Sequence, residues 1–212
     1  MVDLSSSARV TSDFVTTPAN PGPRQRLLAS AERLTATHGV GVGVDAILED
    51  ASVARRSLYQ HFGGKDELIA ASLLESARHD EDRYRAALDS GGSDPRQRVL
   101  AVFDQLDETT SAPGFRGCRY VSAELSLTEP NHPAHQITRA YTEHLHALFE
   151  KELTDLGHSD PSVGAEQIVV LIDGILVLGA LRPGSHPART VRPLVEQVLE
   201  GADSKQLPPV DR

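Results

Sequence analysis

Residues 52–65 carry side chains of the types that contact nucleic acid. The segment SVARRSLYQHFGGK contains Arg55, Arg56 and Lys65 and no carboxylate. The chain as a whole has 21 Lys and Arg against 30 Asp and Glu, for a formal net charge of −9. Arginine can donate two hydrogen bonds to a guanine edge and the amide of Gln60 can pair with adenine, whereas Tyr, Ser and Lys suit phosphate oxygens. Because the chain is acidic overall, any contact with nucleic acid must come from such a local patch.

Helical periodicity predicts that these side chains share one exposed surface. At about 100° per residue, Leu58 and Phe62 lie on one side of a helix, which we expect to pack against the preceding helices. The remaining positions are polar, namely Arg55, Arg56, Ser57, Tyr59 and Gln60. A basic triplet taken alone is more often a solvated helix face, so the order of the surrounding elements has to decide between the two interpretations.

The rest of the sequence predicts an all-α protein. Apolar residues recur at helical spacing, no segment shows convincing strand alternation, and Gly or Pro stands at the main breaks. We predict helices at 24–38, 44–50, 54–61, 65–89, 95–110, 118–128, 132–156, 161–182 and 187–200. Residues 1–22 are predicted to be a mobile arm, and residues 203–212 a tail. The short helix, tight turn and basic helix at 44–61 have the layout of a helix-turn-helix.

Residues 24–70 resemble the DNA-binding domain of TetR-type transcriptional regulators. In that family a short helix ends in a stretch like Ile-Ala-x-x-Ala-Gly-Val, a recognition helix ends in Leu-Tyr-x-His-Phe, and the next helix starts with Lys-x-x-Leu. This chain has ILEDASV at 47–53, SLYQHF at 57–62 and KDEL at 65–68. The resemblance implies a helix-turn-helix domain at 23–67, with contacts to double-stranded DNA from Arg55, Arg56, Ser57, Tyr59, Gln60, His61 and Lys65.

Three residues depart from the family's pattern around the second helix. Ser52 stands where the family usually has Gly, and a positive φ costs a non-Gly residue energy. Val42 and Gly43 stand where the family usually offers Thr or Ser to cap the helix and touch phosphate. Glycine is an acceptable cap and valine a poor one, so the sequence does not tell whether the side chains at 42 and 43 contact DNA.

The resemblance also implies what a larger C-terminal helical domain, residues 68–202, would do. In TetR-type regulators this domain holds a cavity for a small effector, and the last two helices form a four-helix interface in a homodimer. Two recognition helices spaced about 34–36 Å apart would then read a palindromic operator. The chain is therefore expected to be a ligand-responsive repressor that releases its operator when an unidentified small molecule tilts the fourth helix. The expected effector-binding residues are Phe103, Tyr120, Tyr141, Leu145 and Asp173.

Asp173 interrupts an apolar run from Ile168 to Leu181. A carboxylate in such a run must be paired, hydrogen-bonded or solvated. It either meets a partner at a helix crossing or subunit interface, or anchors a ligand in a cavity, and the sequence leaves both open. Gly174 and Gly179 permit close helix approach, which is consistent with dimer packing. Leu125 is expected in the helical core.

Other chemistries have less support in the sequence. No paired nucleophile and base is visible, so we expect no enzymatic activity and no cofactor. The single cysteine, Cys118, excludes an internal disulfide and fits a reducing compartment. For the histidine pairs 132/135 and 144/146, surface or capping roles are favoured over metal binding. The longest apolar run, from Ile168 to Leu181, suits a buried helix better than a membrane span. Without a visible signal peptide we expect a cytoplasmic protein. The competing hypotheses are an enzyme that uses the N-terminal helices as scaffold and an interaction protein that no longer reads DNA.

Overall fold

A computed structural model describes residues 21–201, and within that range the chain forms helices and no strands. They are α1 (Pro23–His38), α2 (Val44–Asp50), α3 (Arg55–Phe62), α4 (Lys65–Ser90), α5 (Pro95–Ser111), α6 (Arg119–Ser126), α7 (Ala134–Leu156), α8 (Pro161–Leu181) and α9 (Pro187–Leu199). The predicted all-α fold is confirmed, and the helix ends differ from the predicted ones by no more than two residues. The predicted arm, apart from its last two residues, and the predicted tail lie outside the described residues.

Proline and a preceding carboxylate define the start of two long helices. Asp94 precedes α5 and its side chain accepts a hydrogen bond from the backbone N–H of Arg96 at 3.0 Å. Asp160 precedes α8 and accepts from the N–H of Val163 at 3.2 Å. In both helices proline occupies the first turn, where its missing N–H costs no intrahelical hydrogen bond. These starts are local features, which explains why the sequence located them well.

The first three helices pack around a small apolar centre. Leu27, Ile47 and Leu58, one from each helix, are at most 1% exposed. The Ser30 hydroxyl donates to the carbonyl of Ile47 at 3.1 Å, so a buried hydrogen bond ties α1 to α2. This centre fixes the direction in which α3 leaves the turn after α2.

Helix α4 belongs to both halves of the chain. It packs against α1 and α3 near its start and against α5 and α7 farther along. Its 26 residues span about 39 Å. Buried side chains run along it from Leu68 to Leu88 in one continuous apolar core. Any change in the tilt of α4 must therefore move α1 and α3 relative to the C-terminal helices.

An ion pair crosses the C-terminal core between α5 and α7. Arg98 donates to both carboxylate oxygens of Glu152, from Nε and from Nη2, at 2.8 Å each. The Glu152 side chain is 2% exposed, whereas that of Arg98 is 25% exposed and also reaches Asp89 at 3.4 Å. The hydrogen bond to Glu152 raises the pKa of Arg98. This pair fixes the register of α5 against α7.

Helix α8 buries one face and leaves an apolar stripe outside. Ile168, Ile172 and Ile175 are fully buried against the neighbouring helices. The exposed apolar stripe consists of Val163, Val170, Gly174, Val177, Leu178 and Leu181, with Gln167 as an exposed polar residue among them. By length and composition α8 could cross a membrane, but a core helix of a soluble protein meets the same criterion. Its packing between α7 and α9 makes it a core helix here.

Two expectations about the C-terminal half are wrong in detail. Leu125 was expected in the core, but it is 81% exposed because it lies on the outer side of the short helix α6. Gly179 was considered for dimer packing, yet a Cβ there would come within 2.8 Å of Thr110 on α5 of the same chain. Gly174 lies on the exposed stripe of α8, and a Cβ there would contact nothing within 4 Å. Only Gly174 is therefore placed to bring a second chain close.

Candidate nucleic-acid interface and ligand cavities

Helix α3 is anchored by one buried side chain and exposes most of the others. Leu58 is 1% exposed. Arg55, Arg56, Tyr59, Gln60 and His61 are exposed, and Ser57 and Lys65 are half-buried. On the other side of the helix, the Arg24 guanidinium lies 5.4 Å from the centre of the Phe62 ring. The surface built from residues 55–65 thus offers solvent several hydrogen-bond donors and an aromatic ring, without a carboxylate of its own.

The turn before α3 adopts the strained backbone that the sequence indicated. Ser52 has φ 51°, a left-handed conformation that glycine adopts more easily. The N–H of Ser52 donates to the carbonyl of Glu49, and the N–H of Val53 donates to that of Leu48, both at 3.0 Å. These two bonds close the turn and set the angle between α2 and α3.

The two arginines of α3 differ in their partners. Arg55 forms an ion pair with Asp45 of α2, and that hydrogen bond raises the pKa of Arg55. Arg56 forms no hydrogen bond or ion pair through its side chain with any residue in the range 21–201. Arg55 therefore joins the two helices of the turn motif, and Arg56 is the guanidinium left available for a ligand.

Two acidic residues of the first two helices are paired with arginines away from α3. Asp50 forms an ion pair with Arg33 of α1. Glu32, also on α1, faces the C-terminal domain and lies 3.8 Å from Arg119 of α6. Pairing of this kind lowers the repulsion that free carboxylates would exert on a polyanion approaching α3.

The start of α2 has no side-chain cap. Gly43 is the residue before the helix, with φ −66° and ψ 141°, and no side chain satisfies the first N–H groups. Val42 is 8% exposed and packs into the core. The side chain of Val42 is thus turned inward, and only backbone N–H groups at Gly43 and the start of α2 are available for an anion here.

Two of the cavities among the described residues share a wall. The larger, about 700 Å³, lies between the end of α1, the middle of α4, α5 and the segment 112–120. The smaller, about 400 Å³, lies between α6, α7 and α8. Cys118, Tyr120 and Tyr141 line both cavities and so form the wall between them.

The wall between the cavities is a stacked pair of tyrosines. The ring centres of Tyr120 and Tyr141 lie 3.7 Å apart, with 23° between their planes. The Tyr120 hydroxyl donates to Asp80 Oδ2 at 2.6 Å. Burial and the neighbouring Asp80 carboxylate raise the pKa of Tyr120, and burial raises that of Tyr141. Both phenols are therefore neutral donors at physiological pH.

Comparison with known proteins places the chain in a family. The profile of the family described as "Bacterial regulatory proteins, tetR family" matches residues 27–72. A crystal structure of a TetR-type transcriptional regulator from Streptomyces avermitilis is 35% identical and superposes with a TM-score of 0.75, covering 86% of this chain and 99% of that one. The chain belongs to the TetR family. The helix-turn-helix of this TetR-family regulator is α2 with α3.

Two further relatives are named as transcriptional regulators. The HTH-type transcriptional repressor NemR of Escherichia coli is 32% identical over 106 residues, which are 48% of this chain and 53% of NemR. A cysteine mutant of the TetR-family regulator CifR, solved with 26-bp double-stranded operator DNA, has a TM-score of 0.69 at 20% identity and covers 88% of this chain and all of that one. The likeness to CifR extends the shared fold to a protein whose complex with DNA has been solved.

Of the predicted effector-binding residues, the TetR-family fold brings four together. Tyr120, Tyr141, Leu145 and Asp173 line the smaller cavity. Phe103 on α5 lines neither cavity; it is 1% exposed and belongs to the hydrophobic core. The sequence placed Phe103 on the inner face of its helix correctly, but periodicity does not distinguish a core position from a cavity wall.

Sequence reasoning missed a polar network beneath the tyrosine wall. Arg119 of α6 donates to Ser76 Oγ of α4 at 2.7 Å, and Ser76 Oγ donates to Glu32 Oε1 of α1 at 3.0 Å. Asp80, which accepts from Tyr120, is 7% exposed and forms an ion pair with Arg83 on its own helix. The repeated polar residues on the inner face of α4, Ser72, Ser76 and Asp80, were the signal that could have indicated this network.

The remaining candidates for chemistry have structural partners. Burial raises the pKa of the Cys118 thiol to about 11. His132 Nδ1 accepts from the N–H of Ala134 at 3.1 Å, which caps the start of α7, and His135 lies 2.9 Å from Glu124. Within residues 21–201, no group of three or more His, Cys, Asp or Glu side chains is arranged to hold a metal ion.

Proposed function

We propose that this TetR-family chain is a sequence-specific DNA-binding repressor that acts as a homodimer and releases a palindromic operator when a small molecule enters its C-terminal domain. The observation that carries the proposal is the exposed face of α3, where Arg56 and Gln60 stand without partners in the described range on a helix free of carboxylates. Arg and Gln are the side chains that read guanine and adenine in the major groove.

The proposed DNA-contact residues divide into two groups. Arg56 and Gln60 would read base edges, and Ser57, Tyr59, His61 and Lys65 would contact the sugar-phosphate backbone. Arg55 would act partly through its ion pair with Asp45, by orienting α3. The proposed domains are residues 23–67 for DNA and 68–202 for effector binding and dimerisation, with α4 crossing the boundary.

The exposed stripe of α8 supports a homodimer. The stripe presents six exposed residues that are apolar or glycine. Leu194 of α9 adds another exposed apolar side chain beside them. A second copy is the occupant that supplies a matching apolar stripe through two-fold symmetry. A dimer would also place two copies of α3 on successive turns of the same DNA face.

The polar network supports a route from the cavities to the DNA-binding helices. Tyr120 in the cavity wall is bonded to Asp80 of α4, and Arg119, the adjacent residue, reaches Glu32 of α1 through Ser76. A ligand that displaced Tyr120 would disturb both α4 and α1. If that ligand preferred the arrangement that does not fit the operator, it would release DNA.

No catalytic role is proposed. NemR is named a transcriptional repressor, and the family profile describes regulatory proteins. The polar residues of the network beneath the tyrosine wall already form hydrogen bonds with one another. A regulator that binds chromosomal DNA would work in the bacterial cytoplasm, which agrees with a single unpaired cysteine.

The test is selection of bound duplexes from a random DNA pool, with three variants beside the wild type. We expect the wild type to enrich a palindrome. Arg56→Ala should relax the preference at one position of each half-site, at a cost of about 1–3 kcal/mol there. Lys65→Gln should weaken binding to all DNA sequences evenly. It should also reduce the slope of the logarithm of the binding constant against the logarithm of the salt concentration by about 1. Lys151→Gln is the control, because this exposed lysine lies on α7.

One outcome would favour the competing hypothesis. If folded wild type enriches no sequence at moderate salt, even when small-molecule extracts are added, the chain has kept the fold and lost DNA reading. The uncapped start of α2 at Gly43 and the strained Ser52 are the observations that favour this alternative.

A further inference from the structure

Asp173 is a carboxylate without a partner in the structure. It is half-buried on α8, lines the smaller cavity and forms no hydrogen bond or ion pair through its side chain with any residue from 21 to 201. Burial raises the pKa of Asp173, and no neighbouring cation offsets that effect. A partly desolvated carboxylate that has lost water contacts without gaining a partner is unfavourable. Occupation of the cavity by a suitable partner would remove that cost.

The charges around the smaller cavity favour a positive partner. Its charged lining residues are Glu124, Glu143, Asp173 and Arg139. Glu124 already accepts from Thr138 at 2.5 Å and lies 3.8 Å from Arg139. Hydrogen bonds from Thr138 and His135 lower the pKa of Glu124. Because Glu124 and Arg139 are paired with each other, Glu143 and Asp173 are the carboxylates of the lining that are left to attract a ligand.

The aromatic wall offers a second attraction for a cation. Tyr120 and Tyr141 both line this cavity, and the face of a tyrosine ring attracts ammonium groups. Leu145 and Val169 supply apolar contacts on the same cavity. The larger cavity behind the wall is different, because Arg83, Arg116 and Arg119 line it against one carboxylate, Asp80.

The apolar stripe itself offers no cation that a second copy of the chain could bring to Asp173. The sequence of α8 contains no Lys or Arg. On α9, Arg189 is paired with Asp107 and Arg192 with Asp104. Asp173 lies about 60° around the helix from Val170, at the edge of the stripe, so a second copy packed there would narrow the mouth of the cavity.

We propose that the smaller cavity binds an organic cation with an apolar body, such as an amine or quaternary ammonium compound, with Asp173 as its counter-ion. This inference rests on the proposed function, since it names the chemical class of the effector. Charge pairing at Asp173 and attraction to an open face of the stacked Tyr120–Tyr141 pair would select a cation over a neutral compound of the same shape, whereas apolar contact at Leu145 would favour both. A ligand in contact with Tyr120 would also disturb the hydrogen bond from the Tyr120 hydroxyl to Asp80.

The test is calorimetric titration of full-length protein with benzyltrimethylammonium, choline and tetraphenylphosphonium. Neopentylbenzene, the neutral isostere of the first, and phenylacetate, an anion of similar size, serve as comparisons. We expect the wild type to bind at least one cation and to prefer it over both comparison compounds. Asp173→Asn should weaken that cation about tenfold or more and leave the neutral compound unchanged. Asp173→Glu should keep most of the binding because it keeps the charge.

Glu166→Gln is the matched control. It removes one carboxylate from the same helix at a position that is 67% exposed and outside the cavity lining, so cation affinity should not change. The proposal is overturned if no cation binds the wild type or if Asp173→Asn binds the cation equally well. It is also overturned if Asp173→Asn dissociates the ligand-free dimer, because the carboxylate would then belong to the subunit interface. Binding of the ligand-free protein to the selected operator is measured on the same preparations. If the operator binds and no cation does, this inference fails alone; if the operator does not bind either, the proposed function fails.

Discussion

The hydroxyl of Tyr120 donates to Asp80 Oδ2 at 2.6 Å and thereby connects the wall of both cavities to α4. Asp80 also contacts Arg83, and Arg119 Nε lies 3.9 Å from its Oδ2. The carboxylate thus lies where α4, α6 and the cavity wall meet. A ligand that moves the tyrosine must change the hydrogen bonding of a buried acid on the helix that connects the two domains.

Tyr120→Phe tests this connection, because it removes the hydroxyl and keeps the ring stacked on Tyr141. We expect a loss of about 1–2 kcal/mol in the free energy of unfolding, since Asp80 keeps its arginine contacts but loses one donor. Urea denaturation measures it. Tyr59→Phe, on the exposed face of α3, is the control and should not change stability. Equal stability of Tyr120→Phe and wild type would mean that water replaces the lost donor.

Gly43→Ser should strengthen the start of α2. A Cβ at Gly43 contacts nothing within 4 Å, and the extended backbone there accepts any residue. A hydroxyl at this position can cap the first N–H groups, for a gain of roughly a few tenths of a kcal/mol in the free energy of unfolding. It also provides one more donor to phosphate, so operator affinity should rise. Gly43→Ala carries the same Cβ without the hydroxyl, and an equal gain in that variant would rule out capping.

Arg98→Met and Glu152→Met should differ in cost although they break the same ion pair. Arg98→Met leaves a carboxylate that is 2% exposed without a partner, and we expect a loss of about 3–5 kcal/mol. Glu152→Met leaves an arginine that is 25% exposed and still near Asp89, so its loss should be smaller. Thermal unfolding of the two variants gives the comparison. The reverse order would show that the guanidinium of Arg98, and not the buried carboxylate of Glu152, is the costlier charge to leave unpaired.

Gly174→Arg should prevent dimerisation without unfolding the protomer. The position is exposed on the apolar stripe of α8 and has open space around it, whereas a charge in the centre of an apolar interface is costly to desolvate. Sedimentation velocity should give a monomer, and operator affinity should fall because only one α3 engages. Ala86→Arg adds the same charge at an exposed position on α4, which packs mainly on α1, α3, α5 and α7. A dimer that survives in Gly174→Arg would exclude this face as the interface.

Local signals in the sequence were sufficient for the helices and the outward face of α3. Gly, Pro and Asp act within a few residues of where they stand, so the starts of α5 and α8 could be predicted, and so could the turn at Ser52. Partners distant in sequence could not. Periodicity indicates that Tyr120 faces inward, but not that it meets Asp80, 40 residues away. Because periodicity does not identify the neighbours of a side chain, it wrongly assigned Phe103 to a cavity and Leu125 to the core.

The distribution of charge has a consequence for how the protein reaches DNA. Residues 23–67 contain six cations and six anions, so the formal charge of −9 resides entirely in the rest of the chain. The charge is therefore unevenly distributed, with a neutral DNA-binding domain that carries Arg56 and Lys65 and an acidic remainder. The field of a DNA duplex attracts these two cations and repels the acidic remainder within about a Debye length, roughly 8 Å at physiological salt. That torque turns each arriving molecule so that α3 leads, and it keeps the acidic remainder from adhering to DNA in unproductive orientations.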